Sequence, residues 1–129
     1  MPENENLEIL RRSVEHHNSD DPDGHKKYLE PYSEDVKIHG AEADGLEELR
    51  AFYEVVWSTV PDLEVTVQNA VADGNEVALR YSWSGTHAVT GEEVSLESGL
   101  TWYRFEDGEI VERWVAEGSG KAIREMLEV

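Results

Sequence analysis

Cysteine is absent from the sequence. Its absence removes disulfides, thiol nucleophiles and thiolate metal ligands together, and it suits a reducing cytosol. Long apolar runs are also missing, since no stretch approaches the roughly 18 residues that cross a bilayer. The opening Met-Pro-Glu-Asn-Glu-Asn has neither the basic segment nor the apolar core of an export signal. The expectation is a cytoplasmic protein with no membrane contact. Nucleophilic motifs are lacking too: there is no Gly-x-Ser-x-Gly and no phosphate-cradling glycine loop, and Ser82 and Ser84 read as ordinary strand residues. Positive charge is scarce, with 11 Lys and Arg against 29 Asp and Glu, a formal net charge of −18. Nucleic acid and anionic lipid both require positive surface, so neither is expected as a partner.

What is present is a chain of 129 residues, the size of one domain with one core. Its carboxylates are spread through every segment and should coat the whole surface, repelling one another at low ionic strength. The sparse lysines (Lys26, Lys27, Lys37, Lys121) fit a halophilic protein, because 1 M salt screens charge over about 3 Å. A generic acidic protein is the alternative.

Along the chain, Leu7, Leu10 and Val14 mark an amphipathic helix that Asn18 to Gly24 breaks. A helical turn over His25 to Leu29 meets Pro31, Val36 and Ile38 suggest a brief strand, and Leu46, Leu49, Tyr53 and Val56 form a second helical stripe closed by Pro61. From Leu63 the period becomes two, through Val65, Val67, Val77, Leu79, Tyr81 and Trp83 to a long strand ending at Phe105. Leu100 to Trp114 is the strongest local signal, two aromatic-rich strands joined at Asp107-Gly108, a pair suited to a type I′ turn. A short helix over Lys121 to Leu127 closes the chain. Helices first and hairpin-linked strands afterwards predict an α+β fold with helices on one face of an antiparallel sheet.

The Leu29-Glu-Pro-Tyr-Ser-Glu-Asp-Val36 segment, the Val77 to His87 run and Tyr103-Arg-Phe-Glu-Asp-Gly-Glu-Ile-Val-Glu-Arg-Trp114 resemble the SnoaL-like polyketide cyclase family. That family lies within the nuclear transport factor 2-like superfamily of cone-shaped α+β domains. The resemblance covers most of the chain as one domain, residues 1–129. It implies a strongly bent antiparallel sheet wrapped around the N-terminal helices, with an apolar cavity for a flat, hydrophobic small molecule. It also implies acid–base closure next to a carbonyl, without metal or cofactor, by an aspartate four residues past the final-strand tryptophan. Here that position is Gly118, with Glu117 beside it. On a strand, residues 114 and 118 share a face and 117 points to the other, so Glu117 substitutes only if a bulge shifts the register.

With a two-residue turn at Asp107-Gly108 and regular pairing, Tyr103 and Phe105 share a face with Ile110, Glu112 and Trp114. Trp102 and Arg104 then share the other with Val111, Arg113 and Val115. The first set is expected to wall the cavity; the second is too apolar to stay wet and is expected to pack against a second copy as a homodimer. Glu112 beside Trp114 would have a raised pKa and could exchange protons; its alternative is an ion pair with Arg80 or Arg104. His39 and His87 are further candidate proton carriers at the cavity mouth, or structural histidines each bonded to a nearby backbone carbonyl. Tyr32, Trp57, Arg80, Trp83, Tyr103 and Trp114 are the candidate substrate-binding residues, with core filling or an oligomer interface as the alternative for the tryptophans. His16, His17 and His25 flank an acidic loop, Asp21-Pro-Asp-Gly24, whose spacing fails the calcium pattern, and are expected at the surface or in structural roles; no metal site is expected.

Three functions fit: a cofactor-free cyclase or isomerase, a small-molecule binder that keeps the family cavity without its acid, and a structural dimer with the cavity filled. A carboxylate and a histidine converging on the pocket would favour the first, a wholly apolar pocket the second, and no pocket the third. The charge reading has its own check. The urea midpoint is expected to rise between low salt and multimolar KCl; equal midpoints would remove salt adaptation.

Overall fold

A computed structural model describes residues 4–41 and 43–127, with Glu117 described by its backbone alone. Helix α1 (Glu5–His17) starts where the Asn4 side chain accepts the backbone N–H groups of Asn6 and Leu7, at 2.9 and 3.3 Å. Glu5 and Glu8 in its first turn complement the helix dipole. It ends at Asn18, whose side chain imitates a strand: its Oδ1 accepts from Val65 N at 3.0 Å and its Nδ2 donates to Val65 O at 2.6 Å. Helix α2 (Gly24–Leu29) leads into strand β1 (Tyr32–His39), and helix α3 (Leu46–Thr59) buries Leu49, Tyr53 and Val56.

Strands β2 (Glu64–Asp73), β3 (Glu76–Thr86), β4 (Glu93–Glu106) and β5 (Glu109–Val115) are joined in sequence by hairpins and pair antiparallel, as the α+β reading requires. The sheet order is β1-β5-β4-β3-β2, and β1 adds one parallel pairing at the β5 edge. This five-stranded sheet is open and mixed, with the helices on its inner face. Helix α4 (Glu117–Leu127) begins earlier than the apolar pattern suggests, only two residues after β5. Residues 114 and 118 therefore do not share a strand face, since Gly118 lies in α4. The Glu117 side chain lies outside what is described. Among the described residues no helix is long and apolar enough to cross a membrane.

The Asp107-Gly108 turn forms as expected, with φ of 50° and 79° at the two central residues and Glu106 opposite Glu109. Phe105 faces Ile110, but Arg104 then faces Glu112, so Val111 is an extra residue in β5. This bulge inverts every side chain beyond it. Tyr103, Phe105 and Ile110 point inward as expected. Trp114 and Glu112 point outward with Trp102 and Arg104, whereas Arg113 points in. Ile110 is fully buried and Arg113 is 7 % exposed, against 36 % for Trp114. The expected face assignment is thus corrected from Val111 onward.

Register shifts in β2 and along the β3–β4 ladder add further bends. Gly99 sits opposite Tyr81, and a Cβ there would meet the tyrosine ring at 2.7 Å, so only glycine lets that ring lie against the strand. The core includes Leu10, Leu29, Val36, Leu49, Val77, Phe105 and Ile110, each such side chain contributing roughly 1.5–3 kcal/mol by leaving water.

The helices meet at an aromatic junction. Trp57 of α3 donates its indole N–H to His17 Nε2 at 3.0 Å and stacks on the His25 ring at 3.9 Å. His17 Nδ1 lies 3.0 Å from Asn18 Oδ1, which already accepts from Val65, so the proton is assigned to Nδ1 and the ring is neutral. Of the two roles expected for His17, the structural one is what the fold uses: it is 4 % exposed and ties α1 to α3.

Burial, partly opposed by the Asn18 bond, lowers the His17 pKa, and burial lowers that of His25. In the unfolded chain both return to about 6.5. Between that value and the folded pKa the unfolded state binds the extra proton, so stability should fall as pH drops below about 6.5. Urea melts at pH 7 and pH 5.5 are expected to show this loss, and His17→Gln should make it smaller. An unchanged pH slope in the variant would remove His17 as its source.

Candidate functional site

The inner side of the sheet encloses a cavity of about 50 Å³ between α1, α3, α4 and strands β2 to β5, walled by Val14, Val56, Leu79, Trp83 and Met126 among others. A second cavity of about 30 Å³ lies toward β1 and is walled by Ile38, Leu49, Phe52 and Gly120. Tyr53, Arg113 and Ile123 line both. Ile123 comes from α4, so the terminal helix, with Tyr53 and Arg113, stands at the wall the two cavities share.

Polar chemistry in this space centres on Arg113. Its Nε donates to Thr101 Oγ1 at 3.0 Å, and its Nη1 donates to the hydroxyls of Tyr32 and Tyr53, each at 3.1 Å. The guanidinium carbon lies 5.1 Å from the centroid of the Tyr103 ring, a cation–π contact. Tyr53 OH is 3.1 Å from Tyr28 OH, and Tyr32 and Tyr103 hydrogen-bond through their side chains. These tyrosines arrive from separate elements: α2, β1, α3 and β4. Burial pushes the pKa values of Tyr28, Tyr32, Tyr81 and Tyr103 up, so near neutral pH they are phenols. Arg113, always protonated, is therefore answered by neutral dipoles. No described carboxylate pairs with it.

One further donor is left over. Trp83 lines the same cavity, and its Nε1 is the buried side-chain polar atom without a hydrogen-bond partner among the described residues. His17 also lines the cavity, but Trp57 occupies its Nε2. The wall thus offers N–H and O–H donors in excess of acceptors, an arrangement that stabilises negative charge on oxygen.

Of the candidate site residues, Tyr32, Trp83 and Tyr103 are interior. Trp57 stands just behind, stacked on Tyr53 at 5.2 Å. Glu112, His39 and Trp114 do come together, but on the outer face of the sheet. Glu112 Oε2 lies 2.7 Å from His39 Nε2, and its Oε1 accepts from Arg104 Nε at 3.2 Å. The His39 ring stacks on Trp114 at 5.3 Å. The His39 bond, followed by the Arg104 bond, holds the Glu112 pKa below the usual carboxylate range. The raised pKa expected for Glu112 is corrected; the Arg104 ion pair is what forms. Arg80 is also outside, donating to Asn69 Oδ1 at 2.7 Å. His87 is buried in the β3–β4 loop, where its Nδ1 accepts the N–H groups of Val89 and Thr90, both at 3.2 Å. It orders that turn and does not line the interior cavities.

Arg113, Tyr28, Tyr53, Tyr81 and His17 are the interior polar residues that the sequence reading did not single out. Adjacent Ile110 and Val111 interrupt the alternation of β5 and are the one local sign of the bulge that brings Arg113 in. Outside, Trp102, Trp114, Leu100 and Val71 edge a shallow apolar hollow of about 440 Å³.

Comparison with known proteins agrees with this architecture. A proposed SnoaL-like polyketide cyclase from Jannaschia sp. CCS1 superposes with a TM-score of 0.74 at 20 % identity, covering 87 % of this chain and 84 % of that one. AclR from Streptomyces galilaeus, a proposed hydroxylase, gives 0.73 at 25 % identity over 87 % and 77 %. IdmH from Streptomyces antibioticus, a proposed polyketide cyclase, gives 0.73 at 23 % identity over 98 % and 100 %. No curated protein matches the sequence. The profile of the SnoaL-like domain matches residues 10–113. A profile match over most of the length, on an open bent sheet that cups its helices, means that the chain belongs to the SnoaL-like domain family, with the nuclear transport factor 2-like fold.

Proposed function

We propose that the protein binds an apolar small molecule in the interior space beside Ile123, with Arg113 and its tyrosines holding a polarised oxygen of that molecule. The observation that carries this reading is the buried arginine among neutral phenols inside an otherwise apolar wall. A carbonyl held there would be polarised toward an enolate, the electrophilic half of the acid–base chemistry that cyclases and isomerases perform. The proton-accepting half is weaker. Glu112, His39 and His87 are turned away, and no described carboxylate lines the cavity. This favours binding over turnover. The enzyme reading rests on His17, the imidazole of the wall, which would act as proton carrier once released from Trp57. Loss of turnover in His17→Gln, with ligand affinity kept, would select it.

The two cavities are far smaller than the roughly 300–1,000 Å³ of ordinary ligand sites, so α4 has to yield for a ligand to enter. Ile123→Ala removes one of the three side chains shared by the two walls and enlarges the interior space. It is expected to lower stability by about 1–3 kcal/mol and to raise the affinity for toluene or a similar small aromatic, read by calorimetry. Unchanged affinity, or none in either protein, would overturn the interior site.

We also propose that the outer sheet face joins two copies. Across the strands His39, Trp114, Trp102, Ala78 and Val71 form one row, and Lys37, Glu112, Arg104, Glu76 and Asp73 the next. The first row is largely apolar, and Trp102 is 46 % exposed. The second mixes both signs, so in a chain of net charge −18 this face repels a second copy less than the rest of the surface does. Light scattering in multimolar KCl is expected to give twice the chain mass, and Trp102→Asp to halve it. A native monomer would remove the dimer.

A further inference from the structure

We infer that the molecule held in the interior carries an anionic or readily ionised oxygen, a carboxylate, phenolate or enolate on a flat apolar body, and that Arg113 and Trp83 are its anchors. The inference rests on the interior binding reading above and narrows it to a chemical class.

Arg113 brings five N–H groups, and the described side chains accept three of them, at Thr101, Tyr32 and Tyr53. None of those bonds uses Nη2. The Trp83 indole N–H is buried without any acceptor. Both residues line the same cavity. Leaving a buried donor unpaired costs about 1–3 kcal/mol, so a ligand oxygen that accepts from Trp83 relieves an existing deficit, and the charged Arg113 adds a donor on the wall of the same cavity. A neutral hydrocarbon leaves it in place.

Charge points the same way. Hydrogen bonds from a guanidinium to an ionised oxygen are roughly twice as strong as neutral ones. The tyrosines cannot serve as the counter-charge at neutral pH, because burial and their mutual contacts keep them protonated. Tyr53 and Arg113 line both cavities, so a ligand that pushes Ile123 aside meets the guanidinium from either side. The second cavity adds Ile38, Leu49 and Phe52, which suit an aromatic ring and carry no acceptor of their own.

The test uses three probes of similar shape, toluene, benzamide and benzoate, titrated by calorimetry at pH 8 in 2 M KCl into the native protein and into Ile123→Ala. Benzoate is expected to bind at least 10-fold more tightly than either neutral probe. Arg113→Met should erase that preference while keeping toluene affinity, Arg113→Lys should retain part of it, and Trp83→Phe should weaken benzoate several-fold with toluene unaffected. Equal binding of all three probes would overturn the anion class and leave the interior site standing. Absence of binding by any probe, in the native protein and in Ile123→Ala alike, would overturn both. A benzoate preference that survives Arg113→Met would place the anion elsewhere and also overturn the inference. Should Arg113→Met fail to fold by circular dichroism, Trp83→Phe and Arg113→Lys decide: benzoate affinity untouched in both refutes it.

Discussion

The extra residue at Val111 is the constraint on which the interior and the exterior of this molecule both depend. Without it, β5 would continue its alternation from Ile110, Arg113 would face water and Trp114 would enter the core. With it, a guanidinium replaces an indole at the centre of the domain and the indole is delivered to the outer face. Both consequences come from a single step in strand register, because side chains alternate with a period of two. The bulge also increases local twist, so the same residue that exchanges the two side chains helps to bend the sheet over the helices.

Burying a charge on this scale has to be offset. Taking an ion out of water costs several kcal/mol even after relaxation. The bonds from Arg113 to Thr101, Tyr32 and Tyr53, at about 1.5–3 kcal/mol each for charged donors, return a comparable amount. The tyrosines are supplied by the helical layer as well as the sheet, so the site exists only when α3 and the strands are docked. Polar function and fold are therefore coupled through the same hydrogen bonds, and the His17–Trp57 junction lies directly behind them. A domain that wanted only stability would hold an apolar side chain at position 113.

Much of this architecture was legible in the residues. The Asp107-Gly108 turn, the helical stripe of Leu49, Tyr53 and Val56, and the period-two run from Leu63 each reflect local chemistry that tertiary packing reinforces. The parallel pairing of β1 was not legible, because a brief strand after Pro31 carries no sign of its neighbour. The site was read only in part for a related reason: face assignment along a strand accumulates from its turn, and one unseen insertion reverses everything downstream. Tyr103, before the bulge, was placed correctly; Glu112 and Trp114, after it, were not. Which of its two expected roles His17 takes was not legible, because the residue that buries it, Trp57, lies 40 residues later.

The two faces also separate two roles that one set of residues was expected to share. Glu112 and His39 form a close carboxylate–imidazole pair, an arrangement that in a cavity would suggest proton transfer. Here Arg104 adds a cation to the same carboxylate, and the two bonds tie β1, β5 and β4 together along the outer face. A carboxylate with its pKa depressed by two partners is a poor general base, because its proton affinity has been spent on holding them. The interior has the opposite character, with donors in excess and no described carboxylate. The interior thus stabilises negative charge without a described carboxylate to take a proton, its one imidazole, His17, being held by Trp57, and this weighs for recognition of an acidic ligand over its chemical conversion.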